Sequence, residues 1–126
     1  MTRIIIPGKL PGWNEYSNKE RSSKYAAAET KRDIENRIVD CVLQCADRAV
    51  YDGPVVISFR WAEPDKRRDK DNIASAKKFI IDALQKAGTL KGDGWKHIEG
   101  FEDWFSVNAD EPHVRVDIYT LAEWLA

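Results

Sequence analysis

The chain has 126 residues, which is enough for one domain with a hydrophobic core and too few for two. Hydrophobic residues make up 43% and charged residues 33%, which predicts a soluble globular protein, and the net charge of −1 excludes a global positive charge that would attract nucleic acid. No apolar run suits a signal peptide or approaches the ~20 residues of a membrane span, so the expected location is cytoplasmic.

The first half of the chain is predicted to form a strand and a long helix. The run RIII at residues 3–6 predicts a first strand that ends at Pro7, and a loop rich in Pro, Gly, Asn and Ser follows. Ser22 or Ser23 can cap a helix that continues to about Ala49. Apolar residues recur along it at helical spacing: Ile34, Ile38, Cys41, Val42 and Cys45.

The second half is predicted to add a strand, a helix and two further strands. Residues 55–62 alternate apolar and polar side chains, as a strand does. A helical pattern runs from about Asn72 to Ala87, and Gly88 ends it. Residues 101–107 and 113–120 predict the last two strands. The order β-α-β-α-β-β predicts an α+β fold, a single domain over residues 1–126 in which two main helices pack on one face of a small mixed β-sheet.

The two cysteines allow two interpretations. Cys41 and Cys45 lie four residues apart on one helix, where a disulfide would be awkward. With His97 and His113 they could form a zinc site, although zinc ligands usually lie closer together in sequence. The alternative is a pair of buried, reduced thiols.

The stretch RRDKDNIASAKKF, residues 67 to 79, carries the strongest chemical signal. Asp69 and Asp71 could form surface ion pairs, or one of them could cap the helix that begins there. Two carboxylates this close also repel each other unless a cation neutralises them, and Mg²⁺ prefers one or two carboxylates with waters and phosphate oxygens. Asp93, in KGDGW, could add a third carboxylate or form an ordinary Asp-Gly turn. The stretch lacks the glycine and glutamate of an EF-hand loop.

Basic residues surround this stretch and also form a second group near the N-terminus. Lys77 and Lys78 follow on the helix, where a lysine could stabilise charge on a phosphate or extend along the edge of the apolar stripe. Near the carboxylates lie Lys66, Arg67, Arg68 and Lys70. The second group is Lys19, Arg21, Lys24, Lys31 and Arg32, with Trp13 and Tyr16 nearby. This group could bind a nucleic-acid backbone and stack on bases, or it could be a solvated helix face.

Residues 64–95 resemble the RusA family of Holliday junction resolvases. They carry, in the family's order, a basic run, D-x-D-N, a helix with lysine, D-A-L, A-G and a further Asp, within PDKRRDKDNIASAKKFIIDALQKAG…GDGW. The N-terminal IPGKLPGWNEYSNKERSSKYAAAETKR is similar to the family's first strand, proline-rich loop and entry to the first helix. The resemblance therefore covers most of the chain.

The resemblance implies a role for individual residues. The family's three metal-binding aspartates correspond to Asp69, Asp71 and Asp93, and the catalytic lysine corresponds to Lys78 when counted back from Asp82. Counting forward from Asp71 reaches Ser75 instead, because the interval is about three residues longer here, and Lys77 is the second candidate for the lysine. The residues expected to bind DNA are Lys66, Arg67, Arg68, Lys70, Asn72, Lys77, Asn14, Lys19, Arg21 and Lys24.

The function implied is a Mg²⁺-dependent endonuclease that resolves four-way DNA junctions by paired symmetric nicks, in recombination and repair. Mn²⁺ is expected to substitute for Mg²⁺. The resemblance also implies a homodimer, branched DNA as partner and a phage or prophage origin, hence the cytoplasm of a bacterial or phage-infected cell. Two alternatives stay open: a catalytically weak branched-DNA-binding protein of the same fold, and a metal-dependent phosphohydrolase for small substrates.

Overall fold

The computed structural model describes residues 1–126 and contains four strands and five helices. In chain order they are β1 (Thr2–Pro7), α1 (Trp13–Ser22), α2 (Lys24–Leu43), β2 (Val55–Glu63), α3 (Lys70–Ala74), α4 (Lys77–Lys86), β3 (Ile98–Val107), β4 (His113–Thr120) and α5 (Leu121–Leu125).

The four strands form one mixed sheet in the order β1-β4-β2-β3. β4 pairs antiparallel with both β1 and β2, whereas β2 and β3 are parallel and are connected through α3 and α4. The predicted α+β fold with a small mixed sheet is therefore confirmed. β3 begins three residues earlier than predicted, because its pairing with β2 extends to Ile98.

The hydrophobic core lies between one face of this sheet and the helices. Alternate residues of β1, β2 and β4 point into it, and α2 and α4 supply the opposing side chains, as predicted. Phe59 and Trp61 of β2 are almost completely buried, and their rings stack with centroids 5.4 Å apart. Burial of a large apolar side chain contributes about 1.5–3 kcal/mol, so this strand anchors the fold.

The opposite face of the sheet carries no long helix. We call it the outer face and define it by the outward residues of the four strands: Arg3 and Ile5 of β1, His113, Arg115, Asp117 and Tyr119 of β4, Val56, Ser58, Arg60 and Ala62 of β2, and Glu102, Trp104 and Ser106 of β3. Only α5 approaches one end of it, where Trp124 contacts Tyr119 edge to face, 5.4 Å between ring centroids.

The first long helix is shorter than predicted. Ser23 caps it, because its side chain accepts a hydrogen bond from the Ala26 N–H, but the helix ends at Leu43 and not near Ala49. The chain leaves the helix because the next residues bind β1: the Thr2 hydroxyl donates to the carbonyl of Asp47 at 3.0 Å. These tertiary contacts replace further helical hydrogen bonds.

The second predicted helix is interrupted and forms the two helices α3 and α4. The Ser75 hydroxyl donates to the Asn72 carbonyl at 2.5 Å, and the Ala76 N–H bonds the Ile73 carbonyl instead. A serine side chain that competes for a backbone carbonyl in this way weakens helical continuity. Gly88 follows the second piece with φ +81, so the glycine stop is confirmed.

Two short helices lie outside the predicted elements. α1 occupies part of the segment predicted as a loop. Its first two N–H groups donate hydrogen bonds to side chains that are distant in sequence, Trp13 N to Ser75 Oγ and Asn14 N to Asn72 Oδ1. α5 begins with a capping box formed by Thr120 and Glu123, a pattern that the sequence does contain.

The cysteines are partly buried rather than fully buried. The Cys45 thiol donates to the carbonyls of Arg3 and Cys41, and both cysteines are free. Burial raises the pKa of each thiol, which keeps it protonated. Among the helices, none combines the length and apolar character needed to span a bilayer.

Candidate functional site

An open groove of about 900 Å³ lies where β2 ends and α3 begins. The loop between these elements forms one wall and the end of β3, from Phe105 to Val107, forms the other. Four carboxylates line the groove, those of Glu63, Asp65, Asp69 and Asp71. Three basic residues, Lys66, Arg68 and Lys70, line it as well. The groove therefore brings together the D-x-D pair, Asp69 and Asp71, and three of the four basic residues that surround it in sequence.

The Asp69 and Asp71 carboxylates have no basic partner in the structure. Asp69 stands at the N-cap position of α3, but its side chain makes no capping bond. One oxygen of Asp71 accepts a hydrogen bond from the Asn72 N–H, and neither aspartate forms an ion pair with the surrounding basic residues. Both side chains are exposed to solvent. Two such oxygen ligands on one groove suit a hard divalent cation.

Arg68 connects several residues at the bottom of the groove through hydrogen bonds. Its guanidinium donates to both oxygens of Glu63 at 2.8–3.0 Å, to Glu15 at 2.7 Å and to the Leu10 carbonyl at 2.9 Å. The side chains of Arg68 and Glu63 are only 10% and 8% exposed. Burial opposes the charge on Arg68, but the hydrogen bonds to Glu15 and Glu63 raise its pKa. Arg68 therefore has a structural role in this site.

Glu15 connects α1 to the same loop. Its carboxylate accepts from Arg68 and, at 2.9 Å, from the Asn72 amide. Burial alone would raise the pKa of Glu15, but the hydrogen bonds from Asn72 and Arg68 dominate and lower it to about 2. The ionised form of Glu15 is therefore the form that holds α1 against the groove.

This pKa predicts an acid-dependent loss of stability. Because the folded pKa of about 2 lies below the ordinary 4.5, the stabilisation is complete above pH 4.5 and is lost as the pH falls towards 2. We expect Glu15→Gln to flatten the fall in melting temperature over this pH range, as measured by circular dichroism. Glu20→Gln, an exposed residue of α1 without an ion pair, should keep the wild-type pH profile; equal profiles for all three proteins would contradict this role.

Gly12 is required for the close approach of the N-terminal segment to this loop. A Cβ at Gly12 would lie 2.2 Å from the carbonyl oxygen of Asn72 and 2.5 Å from Asn72 Oδ1. Only a residue without a side chain allows α1 to start here.

We therefore expect Gly12→Ala to displace the loop that carries Asp71. Overpacking of this kind costs about 1–3 kcal/mol, which urea denaturation would measure. Gly53→Ala is the matched control, because a Cβ there meets nothing within 4 Å. Equal stability of the two variants would show that the loop moves aside without cost.

The third predicted metal ligand belongs to a second cluster. Lys78 donates to Asp82 at 2.9 Å and to Asp93 at 3.5 Å, and Lys31 lies 3.8 Å from Asp82. The hydrogen bond to Asp82 raises the pKa of Lys78, which keeps the amine protonated. Asp93 does not line the groove, and no three His, Cys, Asp or Glu side chains lie close enough together to hold one metal ion.

Lys77 points to a different place from Lys78. Its amine donates to Asp103 of β3 at 2.7 Å and lies over the rings of Phe101 and Phe59, 4.4 and 5.2 Å from their centroids. Asp103 also accepts from the Trp61 indole N–H at 2.8 Å. The charge of Lys77 is thus half-buried and paired.

The other predicted DNA-binding residues lie on the surface. Arg67 is 89% exposed and pairs only with Asp65, and Lys70 lies 5.7 Å from the centre of the Phe105 ring. Lys19, Arg21 and Lys24 are exposed at the junction of α1 and α2. The backbone N–H of Asn14 donates to the side-chain oxygen of Asn72 at 3.0 Å, and this bond fixes the loop.

Four carboxylates at or beside the site were not identified from the sequence: Glu15, Glu63, Asp65 and Asp103. Glu15 and Asp103 act through partners distant in sequence, since Glu15 and Arg68 are 53 residues apart and Lys77 and Asp103 are 26 apart. Glu63 had a local signal, a charged residue that ends an apolar strand five positions before Arg68.

Neither a protein-family model nor a curated protein matches this chain.

Proposed function

We propose that this chain is a divalent-metal-dependent endonuclease of the RusA family that nicks branched DNA. The observation that carries the proposal is the pair of carboxylates, Asp69 and Asp71, that stand without a basic partner in an open groove lined by Lys66 and Lys70. The order of motifs from Pro64 to Trp95 supports the choice of family.

The donor set fits Mg²⁺. Mg²⁺ usually takes one or two carboxylates from a protein and completes its shell with waters and substrate phosphates, so Asp69 and Asp71 would suffice as protein ligands. When bound, Mg²⁺ would supply an activated water and neutralise charge on the scissile phosphate. A third ligand role for Asp93 stays a prediction, since Asp93 lies beside Lys78.

The chain's own residues would position the DNA and stabilise charge. Lys66 and Lys70 are exposed beside the carboxylates and would bind the flanking phosphates. Lys78 carries a raised pKa, so it would act as a fixed positive charge towards the phosphate and not as a base. A homodimer would supply the two sites that symmetric nicking of a four-way junction requires.

The test is cleavage of an end-labelled four-way junction by the wild-type protein with Mg²⁺. We expect paired nicks at symmetric positions, activity with Mn²⁺, loss of activity with a chelator, and little cutting of a linear duplex of the same sequence. Junction binding without cutting would favour the catalytically weak binding protein. Hydrolysis of a small phosphate ester in place of the junction would favour the phosphohydrolase.

We expect Lys78 to contribute to the nicking rate and Lys77 to the free energy of unfolding. Replacing Lys78, which is 66% exposed, by methionine should lower the nicking rate about 100-fold with little change in stability. Lys77→Met is the matched variant: it leaves Asp103 without its cation and should lower the unfolding free energy by roughly 1–3 kcal/mol. Loss of cutting in Lys77→Met alone, with the fold intact, would make Lys77 the catalytic lysine.

A further inference from the structure

The outer face carries a transverse row of four side chains that the proposed nuclease site does not use. The register of the strands places Ile5, Arg115, Arg60 and Trp104 side by side across β1, β4, β2 and β3. Ile5 and Trp104 are 46% and 55% exposed. No helix covers this row, since α2 and α4 pack on the other face.

Of the two arginines at the centre of the row, Arg115 pairs with Asp117 at 3.2 Å, whereas Arg60 has no acidic partner. Arg60 and Arg115 lie directly opposite each other on neighbouring strands, an arrangement of like charges that is unfavourable by itself. Arg60 is exposed and has no ion pair, and the buried Nε of Arg115 has no acceptor. An anion bound between the two guanidiniums would remove this repulsion.

The two carboxylates of the outer face, Asp117 and Glu102, already accept hydrogen bonds or form ion pairs with side chains other than Arg60. Asp117 is 1% exposed and is shared by Arg3 and Arg115, at 2.8 and 3.2 Å. Glu102 accepts from the indole N–H of Trp104 at 2.8 Å. This bond fixes the Trp104 ring on the face next to Arg60, so an exposed aromatic surface stands beside an unpaired cation.

We infer that the outer face binds single-stranded nucleic acid, independently of cutting in the groove. Phosphates lie along the row of Arg60 and Arg115, and a base stacks on Trp104. Neighbouring strands are about 4.7–4.9 Å apart, a spacing that lets one nucleotide reach from Trp104 to Arg60. Stacking on aromatic residues beside a positive track is how sheet surfaces bind unpaired strands. A second copy of this chain is less suitable, because it would bring the unpaired Arg60 side chains of both copies onto one small surface.

The test is fluorescence anisotropy of labelled oligothymidylate with wild type and variants. Arg60→Gln should weaken binding about ten-fold at low salt and reduce the slope of log affinity against log salt by about 0.7. Trp104→Ala should weaken it about ten-fold, and Trp104→Phe should restore most of the affinity. Arg37→Gln is the matched control, because Arg37 is an exposed arginine of α2 on the opposite side and has no ion pair.

Each alternative result would overturn the inference. Wild type that does not bind the oligonucleotide, or Arg60→Gln that binds no more weakly than Arg37→Gln, would show that the row is not a nucleic-acid site. Sedimentation could instead show that Arg60→Gln and Trp104→Ala change the mass of the assembly while oligonucleotide binding is unchanged. That result would assign the outer face to a second copy of the chain. Junction cutting is measured separately and should be unchanged in Arg60→Gln, so failure of the groove proposal leaves this test intact.

Discussion

Replacing Arg68 by alanine is expected to destabilise the protein by about 3–5 kcal/mol, measured by urea denaturation at neutral pH. The substitution leaves the Glu63 carboxylate, 8% exposed, without the guanidinium that now donates to both of its oxygens. It also removes the bond to the Leu10 carbonyl and the bond to Glu15. A buried charge that loses its only cation costs more than the original pair contributed.

Two variants separate this effect from a general loss of positive charge. Arg67→Ala removes the neighbouring arginine, which is 89% exposed, and should change the unfolding free energy by less than about 1 kcal/mol. The double variant Arg68→Met, Glu63→Leu should recover most of the stability, because no unpaired charge is left buried. Equal destabilisation by Arg67→Ala and Arg68→Ala would contradict the structural role of Arg68.

Replacing Asp71 by asparagine is expected to lower the rate of junction nicking by at least about 100-fold, while junction binding is kept. The neutral amide keeps the shape of the side chain and one oxygen, but it is a much weaker ligand for Mg²⁺ than a carboxylate. Because Asp71 is exposed and has no ion pair, the fold should be unchanged. Cleavage gels and gel-shift titrations with the same labelled junction measure the two quantities.

Asp33→Asn provides the matched control, since Asp33 is an exposed aspartate of α2 that forms no ion pair. It should cut at the wild-type rate. If Asp71→Asn also cut at that rate, the metal role of the D-x-D pair would be wrong. If Asp71→Asn lost binding together with cutting, the pair would act in holding DNA and not in the chemical step.

The elements that the sequence predicted correctly depend on local signals. The alternation in β2, the Ser23 cap and the stop at Gly88 each involve residues close together in the chain. The break at Ser75 could not be predicted in the same way. Its hydroxyl accepts from Trp13, 62 residues earlier, so tertiary contacts override the helical pattern of residues 72 to 87.

The candidate site was predictable to the extent that its members are adjacent in sequence. Asp69 and Asp71 share the groove with Lys66, Arg68 and Lys70, as the D-x-D motif and its basic neighbours suggested. The position of Asp93 depends on how the turn after α4 folds, and there it contacts Lys78. The pairing of Arg68 with Glu63 rather than with Asp69 or Asp71 depends on burial at the end of β2, because sequence spacing alone does not choose among three carboxylates that all lie close to Arg68.

The way α1 begins has a consequence for the order in which the protein folds. Its first turn has no cap of its own, and its leading N–H groups bond to Ser75 and to Asn72. A ten-residue helix is marginal in isolation, so α1 can persist only after β2, α3 and the core are in place. Local opening of α1 and loosening of the loop that carries Asp71 are then one event, and the backbone amides of both segments are expected to exchange with solvent at a common rate.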